Sequence, residues 1–338
     1  MPGVPVEERI ITGLFLQSNE PNKLLEEFKP AWNQKAVLSI GEKLSFLQQP
    51  DYSSTLFPWI SELSNGINKE EFALSHLVQP DLFLRLRPGK EELVKQKLRK
   101  AGISFQLISD SCIALLNSSK IDEIIDLDKE AVVQDFSSQR VGELMEIVRP
   151  GELDLVRRGP SDQLRVWDCC AASGGKSILA KDILGDIDLI VSDVRETILL
   201  NLENRFRQAG IKNFESFVAD LSKPLQNSLS SFNLIIADVP CTGSGTWSRT
   251  PEQLYYFDEN KIGEYAALQK KIVATAITQL EPGGYLLYIT CSVFKKENEE
   301  VVDFIKEKFH LQLVKMGLLK GYTIKADTMF AALLKKPL

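Results

Sequence analysis

The chain has 338 residues, which at about 150 residues per domain leaves room for roughly two domains and a large core. Hydrophobic residues make up 44% and charged residues 25%, near globular averages, and this excludes whole-chain disorder, a collagen-like repeat or a mini-protein scaffold. A net charge of -6 works against holding nucleic acid by bulk charge, although a local basic patch stays open. No apolar run is long enough for a bilayer, and Glu7 and Glu8 stand where a signal peptide would carry positive charge. The expectation is therefore a cytoplasmic protein without a membrane partner. Five cysteines are too few for a disulfide framework, and the two histidines, His76 and His310, read as structural, so no metal is expected.

Residues 1–78 hold helix-like stretches, among them Pro21 to Phe28 and Phe57 to Leu63, broken by Asn, Pro and Gly. No chemistry is legible there. Over 79–141 the pattern changes to a small α+β domain: a strand at Leu82–Leu86, a helix from Lys90 to Ala101 ended by Gly102, and strand-like runs near Ile103–Phe105 and Cys112–Leu116. Residues 85–100 carry seven basic side chains (Arg85, Arg87, Lys90, Lys95, Lys97, Arg99, Lys100) against Glu91 and Glu92, a local +5 that leaves -11 elsewhere. Such a stretch is either a solvated helix face or a surface for RNA.

From residue 142 to 338 strands and helices alternate. Strands are expected at Leu164–Trp167, Leu189–Ser192, Ser216–Ala219, Leu234–Ala237 and Tyr285–Ile289. Amphipathic helices are expected over Glu196–Gln208, with Ile198, Leu199, Leu202 and Phe206 at helical spacing and Gly210 beyond, and over Glu297–Lys308. The fold class is α/β, a doubly wound sheet whose ligands bind beyond the carboxyl ends of its strands.

The polar motifs fall at those ends. Between the first strand and its helix lies Asp168-Cys169-Cys170-Ala171-Ala172-Ser173-Gly174-Gly175-Lys176-Ser177. It lacks the first glycine of a phosphate-binding loop and the GxGxxG of a dinucleotide site. An acid at a strand tip followed by a small-residue turn suits a ligand bearing an ammonium group, with backbone approach at Cys170, Ala171, Ala172, Gly174 and Gly175. The same residues would also make a plain tight turn. Asp193, with Arg195 just beyond it, ends the second strand, where a ribose diol can be bound, and Asp220 ends the third, near an adenine amino group. Either aspartate alone could simply cap a helix. Three acids on successive tips point to S-adenosylmethionine. The fourth strand runs into Asp238-Val239-Pro240-Cys241-Thr242-Gly243-Ser244-Gly245 and the fifth into Thr290-Cys291-Ser292, so two cysteines share the ligand-binding edge. A lone cysteine is usually a small buried hydrophobe, but this joint placement beside Asp238 favours chemistry.

These three motifs resemble the signature set of RNA cytosine-C5 methyltransferases, and they occur in that family's order. Val133-Gln134-Asp135-Phe136-Ser137-Ser138-Gln139 and Ala326-Asp327-Thr328-Met329-Phe330-Ala331 are similar to its flanking motifs. The departures, Ser173 for proline, Ser177 for threonine and Val239, Thr242 and Ser244, remove no reactive group. The resemblance covers about residue 80 to the end and implies a Rossmann-like methyltransferase sheet with a small RNA-binding domain and an N-terminal helical segment. It implies an rRNA or tRNA partner rather than DNA, a monomer, and S-adenosylmethionine held in part by Asp168, Lys176 and Asp238. It further implies attack on cytosine C6 by Cys291, release assisted by Cys241, and Asp238 on the cytosine edge. Lys176 would face the base or the cofactor's reactive end, or else lie on a helix surface. Trp247, Arg249 and Tyr255, after the fourth motif, are candidates for RNA contact, with packing equally open for Trp247. Two rivals stand beside this: a methyltransferase for another substrate, and an RNA-binding assembly factor without turnover.

Overall fold

The computed structural model describes residues 4–48, 52–149, 163–225 and 231–338. Among them, strands Leu82–Leu86 (β1), Gln106–Ser109 (β2), Cys112–Leu115 (β3) and Ala131–Val133 (β4) form an antiparallel sheet in the order β2-β3-β1-β4. The helix Glu91–Lys100 packs Val94 and Leu98 onto this sheet. The strand expected at Ile103–Phe105 begins at Gln106 instead, because Gly102 adopts a left-handed φ of 70° and Ile103 N turns back to donate to Leu98 O at 3.0 Å.

A second sheet contains Leu164–Asp168 (β5), Ile187–Asp193 (β6), Glu215–Val218 (β7), Phe232–Asp238 (β8), Leu280–Thr290 (β9), Gln312–Leu319 (β10) and Met329–Lys335 (β11), in the order β10-β11-β9-β8-β5-β6-β7. The strands from β9 through β7 pair in parallel, whereas β10 and β11 are antiparallel additions at one edge, so the sheet is mixed. The central strands bury both faces, which is why they read as continuous apolar runs. Val166, Leu234, Ile236, Leu287 and Ile289 point to one face, under helices Gly142–Val148, Gly175–Leu184 and Glu196–Ala209. Their neighbours Trp167, Ile235, Ala237, Leu286 and Tyr288 point to the other, under Asn260–Ile277 and Glu299–Phe309. Strand order reverses at the β5–β8 pair, which opens a crevice above their carboxyl ends.

The N-terminal residues form short helices: Val6–Gln17, Lys23–Phe28, Pro30–Asn33, Ile40–Phe46, Tyr52–Leu56 and Lys69–Ser75. The stretch Phe57 to Leu63, expected to be helical, is a single 3₁₀ turn at Ile60–Glu62. Pro58 removes a backbone donor there, and the chain that follows docks on the loop after β9 instead: Ser64 N donates to Val293 O at 2.8 Å and Lys295 N to Glu62 O at 2.8 Å.

The start of the basic stretch 85–100 turns inward. Arg85 and Arg87 both grip Asp182 on the helix Gly175–Leu184, and Arg87 also reaches Asp128 O at 2.6 Å and Ala209 O at 3.1 Å. Lys97 pairs with Glu130 at 2.7 Å. Arg99 and Lys100 are exposed, Lys95 pairs with Glu92 on its own helix, and only Arg85 and Arg87 of the seven form a seam between the two sheets. No helix among the described residues is long and apolar enough to cross a membrane.

Candidate active site

The loop after β5 turns sharply because two residues take the left-handed region, Ala172 at φ 46° and Gly174 at φ 82°. A Cβ on Gly174 would sit 2.6 Å from Phe206 Cε1, so only glycine lets the loop close onto the helix Glu196–Ala209. Asp168 lies beneath this loop. Its Oδ2 accepts from Ser177 Oγ at 2.6 Å, which anchors the first turn of the next helix, while Oδ1 is buried without a hydrogen-bond partner. Burial pushes this carboxyl up to about 7.

A cavity of about 660 Å³ opens above the strand ends. Cys170 and Ala172 form one wall, Asp193 and Arg195 the next, then Asp220, and finally Asp238, Cys241 and Cys291, with Pro240, Leu268 and Ile272 as apolar lining. The structure thus brings together eight of the expected residues from five loops. Asp168, Ala171, Gly174, Gly175 and Lys176 do not line the cavity; all but the half-buried Gly175 are buried beside Cys170 and Ala172, which do. A cavity of similar size, about 640 Å³, lies by Leu16, Val78, Asp81, Asn117 and Lys325; it has one acid, one base and no thiol.

Asp193 is nearly buried. Its Oδ2 accepts from Ala172 N at 3.0 Å, and its Oδ1 from Arg195 N at 3.0 Å and Arg195 Nε at 3.1 Å. Asp220 sits two residues beyond the end of β7 and caps a turn rather than a helix, accepting from Ser222 N at 3.1 Å and pairing with Lys223 at 3.0 Å. Those bonds from Ser222 and Lys223 hold its carboxyl below the usual range. It lines the cavity as well as stabilising its own turn.

Lys176 is not a surface lysine. Its Nζ donates to Asp238 Oδ2 at 2.9 Å and to Ser138 Oγ at 2.7 Å, so an ammonium–carboxylate pair stands at the tip of β8. Ser138 comes from the Val133–Gln139 motif and is held by Gln134 Nε2 at 3.1 Å, which in turn accepts at Oε1 from buried Arg85 Nε at 2.8 Å. The small sheet therefore reaches the site through this chain.

Cys241 and Cys291, fifty positions apart, meet with their sulfurs 3.1 Å apart, and both are free thiols. The hydrogen bond to Cys291, then burial, raises the Cys241 thiol well above its ordinary value. The loops fit closely because Gly245 N donates to Cys291 O at 2.9 Å while its own carbonyl accepts from Thr328 N, and a Cβ there would lie 1.9 Å from Thr328 O. Cys112, by contrast, is buried in the small sheet, which pushes it up to about 12.

Two of the RNA-contact expectations give way. Trp247 is 1% exposed and packs with Phe57, Trp59, Phe257 and Phe294, and Arg249 is consumed by Asp135 at 2.7 Å and Asp327 at 2.8 Å. Tyr255 stays 81% exposed. His76, with Nδ1 on Phe72 O at 3.0 Å, and His310, in a left-handed helix end, lie in structural positions.

A family model described as 16S rRNA methyltransferase RsmB/F matches residues 157–334, just over half of the chain. The chain belongs to this family. Among curated RsmB/F-like relatives, the probable ribosomal RNA small subunit methyltransferase B of Synechocystis is 25% identical over 323 residues, 89% of this chain and 68% of that protein. The mouse 28S rRNA (cytosine-C(5))-methyltransferase is 30% identical over 171 residues, 49% of this chain and 21% of that protein. The chain thus spans about a fifth of the length of the mammalian relatives it matches. In fold, this RsmB/F member is similar to NSun6 from Pyrococcus horikoshii solved with SFG, with a TM-score of 0.66 at 16% identity, covering 85% of this chain and 97% of that one. A methyltransferase homologue from the same organism aligns at a TM-score of 0.64 and 20% identity, covering 87% and 98%.

Proposed function

We propose that this RsmB/F-family chain methylates carbon 5 of cytosine in RNA, using S-adenosylmethionine and a covalent bond from Cys291 to C6. The observation that carries the reading is the pair of free thiols at 3.1 Å on the cavity rim, beside the Lys176–Asp238 pair. The cavity fits such a cofactor: its volume suits a small ligand, and Asp193, Asp220 and Asp238 outnumber Arg195, which favours a cation over a phosphate. Asp193 would take the ribose through the acceptor capacity left on Oδ2, and Asp220 would face the adenine. The NSun6 neighbour was solved with SFG, an analogue of the same cofactor.

When bound, the cofactor supplies an electrophilic methyl group. Cytosine C5 is a weak nucleophile until a thiolate adds to C6, and the Cys291 sulfur makes that bond. Asp238, steadied by Lys176, holds the N3–N4 edge of the base so that the ring face meets the sulfur. Release requires loss of the C5 proton and cleavage of the C6–S bond. A base takes the C5 proton, the electrons of that C–H bond re-form the C5–C6 double bond, and the Cys291 sulfur departs as it receives the proton of the adjacent Cys241 thiol, which the base then restores. The base must leave its stack, or come from a loop, to offer that face. Relatives carry rRNA in their names, so rRNA is the first substrate to test. Tritium release from rRNA labelled at cytosine C5, dependent on S-adenosylmethionine, is the expected result. Binding of rRNA and cofactor without release would overturn the reading in favour of a factor that lacks turnover.

A further inference from the structure

Behind the two thiols lies a buried carboxylate that the sequence reading passed over. Glu297 is fully buried, and its two oxygens accept four hydrogen bonds. Oε1 receives Thr242 Oγ1 and Ser292 Oγ, both at 2.6 Å; Oε2 receives Thr242 N and Gln269 Nε2, both at 2.9 Å. Thr242 follows Cys241 and Ser292 follows Cys291, so one side chain is bonded to the immediate neighbour of each sulfur-bearing residue. The acceptor is itself fixed. Tyr288 OH donates to Glu297 O at 2.6 Å, and Glu297 N donates to Phe294 O at 3.1 Å.

We propose that Glu297 is a positioning residue for the Cys241–Cys291 pair: its carboxylate joins the loops after β8 and β9 and sets the separation of the two sulfurs. The proposal rests on the thiol mechanism proposed above. Thr242 N and Gln269 Nε2 can only donate to Oε2, and the two hydroxyls both turn their protons to Oε1, whereas a glutamine amide would force both hydroxyls to reverse and accept from its NH₂, which breaks their present orientation. Burying that charge is costly and is sustained only because every lone pair is filled. The hydroxyls extend the same brace. Ser244 Oγ lies 3.2 Å from both Thr242 Oγ1 and Ser292 Oγ and accepts from Val293 N at 2.9 Å. The negative charge of Glu297 also adds to the effects that keep the proton on Cys241.

The test uses the full chain and reads the sulfur separation without needing turnover. Diamide, which removes two hydrogens as the two thiols join, is added to wild type and to Glu297→Gln, and the Cys241–Cys291 disulfide is followed by peptide mass. Misplacement by about 1 Å should slow closure, and also kcat in tritium release, by between about tenfold and a hundredfold, with KM for RNA and cofactor within about twofold of wild type. Thr242→Val with Ser292→Ala, which keeps Glu297 but removes both hydroxyl bonds, should move both readouts the same way, and it replaces Glu297→Gln if that variant fails to fold. Closure as fast as wild type, or an unchanged kcat, in a folded variant overturns the proposal. A wild type that closes the disulfide but never releases tritium sinks the methyltransferase reading instead, and leaves the separation measurement standing.

Discussion

The cavity has two edges built on opposite principles. At the thiol edge, Thr242, Ser244, Ser292, Gln269 and Glu297 form one buried network, and Cys241 and Cys291, bonded to each other, stand on the loops that it ties. Across from it, the edge proposed for the nucleoside presents Asp193, Asp220 and Arg195, held by their own turns and by Ala172 N. A covalent step tolerates little error in the position of a sulfur, so its supports are many. A ligand that must enter and leave needs acceptors that stay partly free. Burial and bond count therefore separate the two tasks where residue type does not, since both edges use the same small polar side chains.

Breaking that contrast at the thiol edge should give the largest effects. Cys291→Ala should bring tritium release down to background if its sulfur makes the bond to C6; residual release near wild type would put that bond on another group, the neighbouring Cys241 first. Cys241→Ala should trap the enzyme instead, seen as a slower band on a denaturing gel when RNA and cofactor are both present. Trp247→Ala, which empties the aromatic cluster packed behind this edge, should cost about 3–5 kcal/mol in urea denaturation.

The nucleoside edge should respond more mildly. Asp168, under the turn, has its carboxyl raised to about 7 by burial, so it binds a proton more tightly folded than unfolded. The stability it contributes is present at low pH and is lost as pH rises from its unfolded value through about 7. Wild type should accordingly lose on the order of 2 kcal/mol relative to Asp168→Asn between pH 4 and pH 8 in denaturant melts, and parallel curves would remove Asp168 as the cause. Asp193→Ala should weaken S-adenosylhomocysteine binding by about tenfold in calorimetry, the loss of about one good hydrogen bond to a charged group. A fall of a hundredfold or more would mean that this edge is as tightly preorganised as the other.

How much was legible followed from locality. The core strands β5, β6, β8 and β9 stood out because continuous apolar runs mark a buried parallel sheet, and their polar tips mark where chains leave it. The antiparallel strands β10 and β11 escaped notice: β10 is mostly exposed, and β11 is a short apolar run with no alternation to set it off. Arg85 and Arg87 read as a basic patch because sequence counts charges without their partners, and Asp182 lies almost a hundred positions away. Glu297 was noted only as the start of a helix, yet its partners Thr242 and Gln269 come from two other elements.

The sequence by itself determined the fold class, the order of the motifs and the chemical inventory: two thiols, a lysine and four strand-tip acids. Each of these is carried by a short run of neighbouring residues, whose periodicity or turn chemistry acts locally. Only the tertiary structure decided which of them share a space. It set the sulfurs 3.1 Å apart, turned Lys176 onto Asp238, buried Asp168 beneath the turn, and spent Trp247 on packing and Arg249 on ion pairs. Those outcomes depend on contacts between segments tens to hundreds of positions apart, where close packing and the need to pair every buried polar group leave few arrangements open.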